Sequence, residues 1–223
     1  MRMIVGSYTS MGGPGLALVE TLGENMQILA VCDQLKEPIW AEQSRKRPVI
    51  YAAAAQGDGT HACVASLLLQ GDEMLLQSVQ ADSGLDNCHL CLNDEETFLY
   101  SANYSDGTIA VFPLDTDGKI LPCIQFLEHQ GPLGPRKDRQ EHAHAHQVSF
   151  RPGTKELFLC DLGVDQVVIY RAGEDGRLQE MQALACASGT GPRHLAFDGP
   201  DAFYLVGELD SPLSRYENKD GEW

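Results

Sequence analysis

Positive charge is what this sequence has least of. Its 223 residues include 16 Lys and Arg against 32 Asp and Glu, a formal net charge of −16 at pH 7. Holding a phosphate backbone takes a basic face, so nucleic acid is excluded as a partner. An anionic small molecule would also be repelled at long range, and any site for one must gather the few arginines and histidines in one place. Long apolar runs are absent too: no stretch reaches the roughly eighteen residues that a membrane helix requires. The first residues, Met1 to Thr9, have no apolar core behind a basic start, which reads as a soluble, unsecreted, cytoplasmic chain without a membrane partner. Helical periodicity is not sustained over three turns anywhere, which argues against a helical fold. Paired cysteines are lacking as well. Seven cysteines, an odd number scattered among apolar residues, suit reduced thiols better than a disulfide frame. Cys88 and Cys91 make a lone CxxC, but without a second pair, and on a strand where i and i+3 face opposite ways, it is not a zinc site.

What is present is concentrated between His142 and Gly163. The alternation of His142, His144, His146, Val148 and Phe150 predicts a strand with the histidines on one face. Arg151-Pro152-Gly153-Thr154 breaks the run, and Leu157 to Cys160 is apolar enough for a buried second strand ending at Asp161-Leu162-Gly163. This two-strand unit recurs. It appears as Pro38 to Ala41 with Val49 to Ala53, as Cys88 to Leu92 with Phe98 to Asn103, and as Arg193 to Phe197 with Phe203 to Glu208. With Trp40, His89, His146 and His194 taken as equivalent, the spacings are 49, 57 and 48 residues. Each unit continues into a third strand and usually a fourth, through turns at Gly71-Asp72, Asp106-Gly107, Asp117-Gly118 and Asp175-Gly176. Four short strands at such a period predict the blades of an all-β propeller, one domain over residues 1–223. The longest spacing contains the polar, Gly- and Pro-rich segment Glu128 to Glu141. Loops of that length in a compact domain are often functional.

The ends are out of register with a closed ring. Met3 to Thr9 aligns with Phe98 to Tyr104, the second strand of a blade, and the last blade stops after its third strand near Trp223. At roughly 40 to 50 residues per blade the chain makes about four and a half. The expectation is a piece of a larger ring, or self-association through two open blade edges.

These segments resemble the lactonase family of seven-bladed propellers, which includes bacterial propeller-type 6-phosphogluconolactonases and fungal carboxy-muconate lactonising enzymes. The carriers are GSYT at Gly6 to Thr9, SANYSDGTIAVFPLD at Ser101 to Asp115, RQE at Arg139 to Glu141, HAHQV at His144 to Val148, DLGVDQVVIY at Asp161 to Tyr170, GPRHLAF at Gly191 to Phe197 and GELDS at Gly207 to Ser211. The resemblance implies a pocket near the central channel where a His, an Arg and a Glu from successive blades meet a lactone or its open acid. Motif by motif, it makes His146 the proton-transfer group with His144 close by, Arg193 the anion-binding or oxyanion-stabilising group, and Glu208 the third member. Ala54 and Ala55 stand where the family's earlier blades carry polar residues, and the later blades, with a further basic site residue, are missing.

Lactone hydrolysis requires a base to activate water, which a histidine with its ordinary pKa near ~6.5 can supply. It also requires a donor for the developing oxyanion and a grip on the acid's charge, for which arginine is suited. No cofactor is needed. Glu208 aligns with Ser7, Ala54, Asn103 and, with one inserted residue, Asp161, all at the ends of second strands. Asn103, Asp161 and His194 therefore join His144 as candidate substrate contacts on one rim. Strict alternation would send Arg193 and His194 to opposite faces. The rival readings are a muconate cycloisomerase of the same fold, a non-catalytic propeller scaffold, and a metal held by His142, His144 and His146, for which no third ligand type is evident.

Overall fold

The computed structural model describes every residue except Asp58 and Thr60, and leaves the side chains of Asp82 and Ser83 undescribed. Eighteen strands form five antiparallel sheets, and no helix occurs among the described residues. The first sheet holds β1 (Arg2–Val5), β2 (Leu16–Leu22) and β3 (Asn25–Cys32). Three four-stranded sheets follow. They comprise β4 (Lys36–Gln43), β5 (Val49–Ala55), β6 (His61–Gln70) and β7 (Glu73–Leu85); β8 (Asn87–Leu92), β9 (Phe98–Asn103), β10 (Thr108–Pro113) and β11 (Gln125–Glu128); and β12 (Ala145–Phe150), β13 (Glu156–Asp161), β14 (Gln166–Ala172) and β15 (Leu178–Ala185). The last sheet holds β16 (Pro192–Phe197), β17 (Ala202–Gly207) and β18 (Leu213–Glu217). Each sheet is a simple meander, as expected of propeller blades. Strands β4, β8, β12 and β16 lie side by side as the inner strands.

The hydrophobic pattern explains the stacking. The second and third strands read as nearly continuous apolar runs, Val49 to Ala54 and Ile109 to Phe112 among them, and are buried on both faces. A sheet covered on both sides loses the polar alternation of a half-solvated one. The outer strand β15 is instead mostly solvent-facing, with Gln179 to Gln182 exposed. The cores accordingly lie between blades. One joins Tyr100, Ile109, Val148 and Leu159, and another Tyr51, Leu90, Leu99 and Phe112. The turn glycines Gly71, Gly107, Gly118 and Gly176 all take positive φ, between 62° and 81°, as hairpin turns of this sort require.

Polar staples tie successive blades at their turns. Glu96, buried in the β8–β9 turn, accepts from Ser44 Oγ at 2.5 Å and the Arg45 amide at 2.7 Å in the β4–β5 turn. The Arg47 guanidinium lies 3.8 Å away. Removing one partner of a buried charge pair leaves the other uncompensated. Glu96→Ala is expected to lower stability by about 3 kcal/mol, read as a shift in the urea unfolding midpoint at unchanged slope.

The register also corrects the repeat. Each of the three inner strands β8, β12 and β16 carries a bulge near its start: Asn87 and His89 pair with Asn103 and Ala102, Ala145 and Gln147 with Asp161 and Cys160, and Pro192 and His194 with Gly207 and Val206. The bulged residues are therefore Cys88, His146 and Arg193. His146 is equivalent to Arg193, not to His194, and Trp40, His89, Gln147 and His194 form the next tier. By the same pairing, Gly207 matches Asn103 and Asp161 without any insertion. Glu208 lies one residue beyond the strand, where the third blade has Tyr104.

Candidate functional site

A bulge places an extra residue in one strand and re-aims its side chain. Here it turns Arg193 and His194 into the same pocket, which strict alternation had forbidden. That pocket has a volume of about 840 Å³ and opens between the inner ends of the blades. His146, Arg193, Trp40 and His194 line it, together with the carboxyl-bearing residues Glu37 and Asp86. The bulge at His146 is pinned from the neighbouring blade, where the Cys88 thiol donates to the His146 carbonyl at 3.2 Å. Burial pushes that thiol up to about 12, so it is an inert donor and not a nucleophile.

The rings form a chain across the inner strands. Trp40 lies 4.0 Å from His89, His89 meets His194 edge-on at 5.5 Å, and His194 meets His146 at 5.1 Å. Burial holds His146 down at about 3, with the Arg193 and His194 charges adding to the effect. His89 is also lowered to about 3, by burial and then by His194 and His146, and His194 is lowered by burial and Arg193. All three are neutral at pH 7. His146 Nδ1 is buried, so a proton from the pocket can reach the ring only at Nε2.

Glu208 reaches the site from the end of β17 and bridges two guanidinium groups, bonding Arg193 with one carboxylate oxygen and Arg139 with the other. Arg139 also donates to the Tyr104 hydroxyl at 3.1 Å. Arg139 was not among the candidate site residues, although the RQE motif and the long loop containing it were visible. The loop folds back by way of Gln140, which is buried and donates to the Leu162 carbonyl and to Asp165 Oδ1, both at 2.9 Å. Pinning Gln140 behind the blade turns its neighbour Arg139 toward the pocket. Two of the 16 Lys and Arg, Arg139 and Arg193, are thus brought to one pocket.

Three of the expected substrate contacts stand elsewhere. Asp161 is fully buried, with Oδ1 accepting from the amides of His144 at 2.8 Å and Gly163 at 3.0 Å, so it shapes the turn after β13. Gly163 is required there, because a Cβ would lie 1.7 Å from the His142 carbonyl oxygen. Asn103 is fully buried and donates to Thr108 Oγ1 at 3.0 Å within its own hairpin. His144 does not line the pocket either. The strand begins only at Ala145, so the row of three histidines does not form. The His144 ring stacks on Tyr104 at 4.4 Å, while His146 meets Tyr104 edge-on at 5.6 Å.

Meandering four-stranded sheets with their first strands side by side, and a pocket at the inner ends of those strands, define a partial β-propeller. The description "Lactonase, 7-bladed beta-propeller" matches residues 2–223, and the chain belongs to that family. The 6-phosphogluconolactonase of Bacillus subtilis (strain 168) is 29% identical over 217 residues, covering 96% of this chain and 61% of that protein. An uncharacterized Staphylococcus aureus protein is 32% identical over 227 residues, covering 98% of this chain and 64% of its own length. Among solved structures, the periplasmic gluconolactonase of Pseudomonas aeruginosa matches with a TM-score of 0.89 at 25% identity, covering all of this chain and 65% of that one. The chain spans less than two thirds of the length of these relatives. No helix is long and apolar enough to cross a membrane.

Proposed function

We propose that the pocket binds a sugar-acid lactone and hydrolyses it to the open acid, with 6-phosphogluconolactone as the substrate. The observation that carries this reading is a histidine kept neutral inside a pocket whose arginines are gathered beside it. Neutral His146 accepts a proton at Nε2 from a water, whose oxygen attacks the lactone carbonyl carbon. Arg193 stabilises the oxyanion that forms. The tetrahedral carbon then expels the ring oxygen, which takes the proton from His146 and leaves a hydroxy acid. Arg139 grips the substrate's anionic group, and Glu208 holds both guanidinium groups in place while none of the anion is bound. The names of the relatives support lactone hydrolysis, and the phosphorylated substrate fits the paired arginines.

Trp40 provides a readout independent of turnover, since it lines the pocket and the chain has only two tryptophans. Titration with 6-phosphogluconate is expected to move the Trp40 indole NMR signal to saturation. Arg193→Ala should weaken that binding at least about tenfold, the scale of a lost charge-assisted pair. A substrate panel accompanies it: 6-phosphogluconolactone, the unphosphorylated lactone and a muconate. No indole shift and no lactone turned over would sink the proposal, and closure of the muconate in place of lactone opening would convert it to the cycloisomerase reading.

A further inference from the structure

Against the Tyr104 ring, through His144, lies a second cluster that the lactonase reading does not use. Glu141, His142 and His144 bring one carboxylate oxygen and two ring nitrogens within 4.8 Å of one another. The tautomers are legible from the backbone. His144 Nδ1 lies 2.9 Å from the Tyr104 carbonyl oxygen and His142 Nδ1 lies 2.8 Å from that of Ala143. A carbonyl only accepts, so each Nδ1 carries a hydrogen, and in the neutral ring each Nε2 keeps a lone pair. Both lone pairs face Glu141 Oε1, His142 Nε2 at 3.5 Å and His144 Nε2 at 3.5 Å. Three acceptors therefore face one another with no donor between them. His144 is 4% exposed and its Nε2 is buried without a hydrogen-bond partner.

Such an arrangement of acceptors suits a cation. Nitrogen and oxygen ligands at ~2.0–2.1 Å from a tetrahedral ion lie about 3.4 Å apart, close to the separations found here. A ring nitrogen locked by a backbone carbonyl is the usual outer support of a metal-binding histidine. Two histidines and one carboxylate suit zinc and its first-row neighbours and are poor ligands for calcium or magnesium, which take oxygen. We propose that Glu141, His142 and His144 bind a divalent transition cation, which fastens the end of the 128–141 loop and so holds Arg139 in the pocket. The ion takes no part in the chemistry. Glu141 and His142, each about half exposed, leave it reachable from solvent.

The test uses the whole chain, stripped with chelator and titrated with Co²⁺ and then Zn²⁺. One Co²⁺ per chain should bind with the visible absorption of a tetrahedral nitrogen and oxygen site, and Zn²⁺ should displace it and raise the melting temperature. His142→Ala removes a half-exposed ring that packs against His144 at 4.2 Å, and should weaken Co²⁺ binding by about 100-fold or more, beyond the loss typical of an outer-shell partner. Glu141→Gln should do the same. The inference is overturned if no such absorption develops, or if His142→Ala binds Co²⁺ as tightly as the unaltered chain. It is equally overturned if NMR finds both nitrogens of His144 protonated at neutral pH with Co²⁺ excluded, since a proton then fills the gap. None of these readouts depends on lactone turnover, so the lactonase reading stands or falls separately.

Discussion

His146→Ala is expected to lower kcat for lactone opening by about 10²–10⁴-fold, the range for loss of a positioned general base, while the melting temperature stays within a few degrees. The backbone explains why the fold should survive. The bulge that aims His146 is held through its carbonyl by the Cys88 thiol, and truncating the side chain leaves that bond intact. Unchanged turnover in the variant would remove His146 from the reaction.

On the proposed reaction, the unaltered chain should show an unusual acid limb. A group whose pKa is lowered keeps its base form down to that lower value. With His146 held at about 3 by burial, Arg193 and His194, kcat/KM, which reports the free enzyme, should stay flat through ~6.5, where an ordinary histidine base would be half lost. Binding the substrate's anionic group at Arg139 offsets one of the influences that lower His146. The acid inflection in kcat should therefore lie above that in kcat/KM. An inflection near ~6.5 in kcat/KM would show that His146 is not held neutral in the free pocket.

Much of the architecture could be read from the chain because propeller blades repeat. Turn glycines, apolar second and third strands and the hairpin from His146 to Asp161 each carry a local signature, and all recur in the structure. The site was harder. A bulge is a one-residue event in pairing, and only the partner strand reveals it. Thus His146 was matched to His194 when its register mate is Arg193, and Glu208 was placed one position early. The alternating histidines predicted a strand three residues too soon, since the chain at His142 and His144 is still completing the turn around Asp161. Arg139 lay in a loop, where no period fixes direction. What sends it inward is the anchoring of Gln140 on Leu162 and Asp165, partners more than 20 residues away in sequence.

The stability of the ring should fall steeply between about pH 6.5 and 4.5, and the histidine cluster predicts how much of that fall is its own. His89 and His146 have folded pKa values of about 3 against ~6.5 in the unfolded chain. Below ~6.5 the unfolded chain takes up protons that the folded one refuses, so stability is fully present above that value and drains away toward 3. Each histidine contributes a slope of about 1.4 kcal/mol per pH unit across this window. Glu42, raised by burial, takes up its proton earlier in the folded chain than in the unfolded one and offsets part of this fall. Burial raises Glu37 but is outweighed by hydrogen bonds from Thr9 and Ser10, and a backbone hydrogen bond outweighs burial at Glu141, so both lie below the ordinary carboxylate value in the folded chain. Asp161, raised by burial, acts with the opposite sign. Between pH 6.5 and 4.5 the histidines should therefore dominate. His89→Phe keeps a ring 4.0 Å from Trp40 and removes one titrating group. Urea unfolding across the window should find its slope smaller than that of the unaltered chain by about 1.4 kcal/mol per unit. An unchanged slope would mean that His89 already carries its proton in the folded ring, and a buried cation beside His194 and His146 would then have to be compensated by a charge outside the cluster.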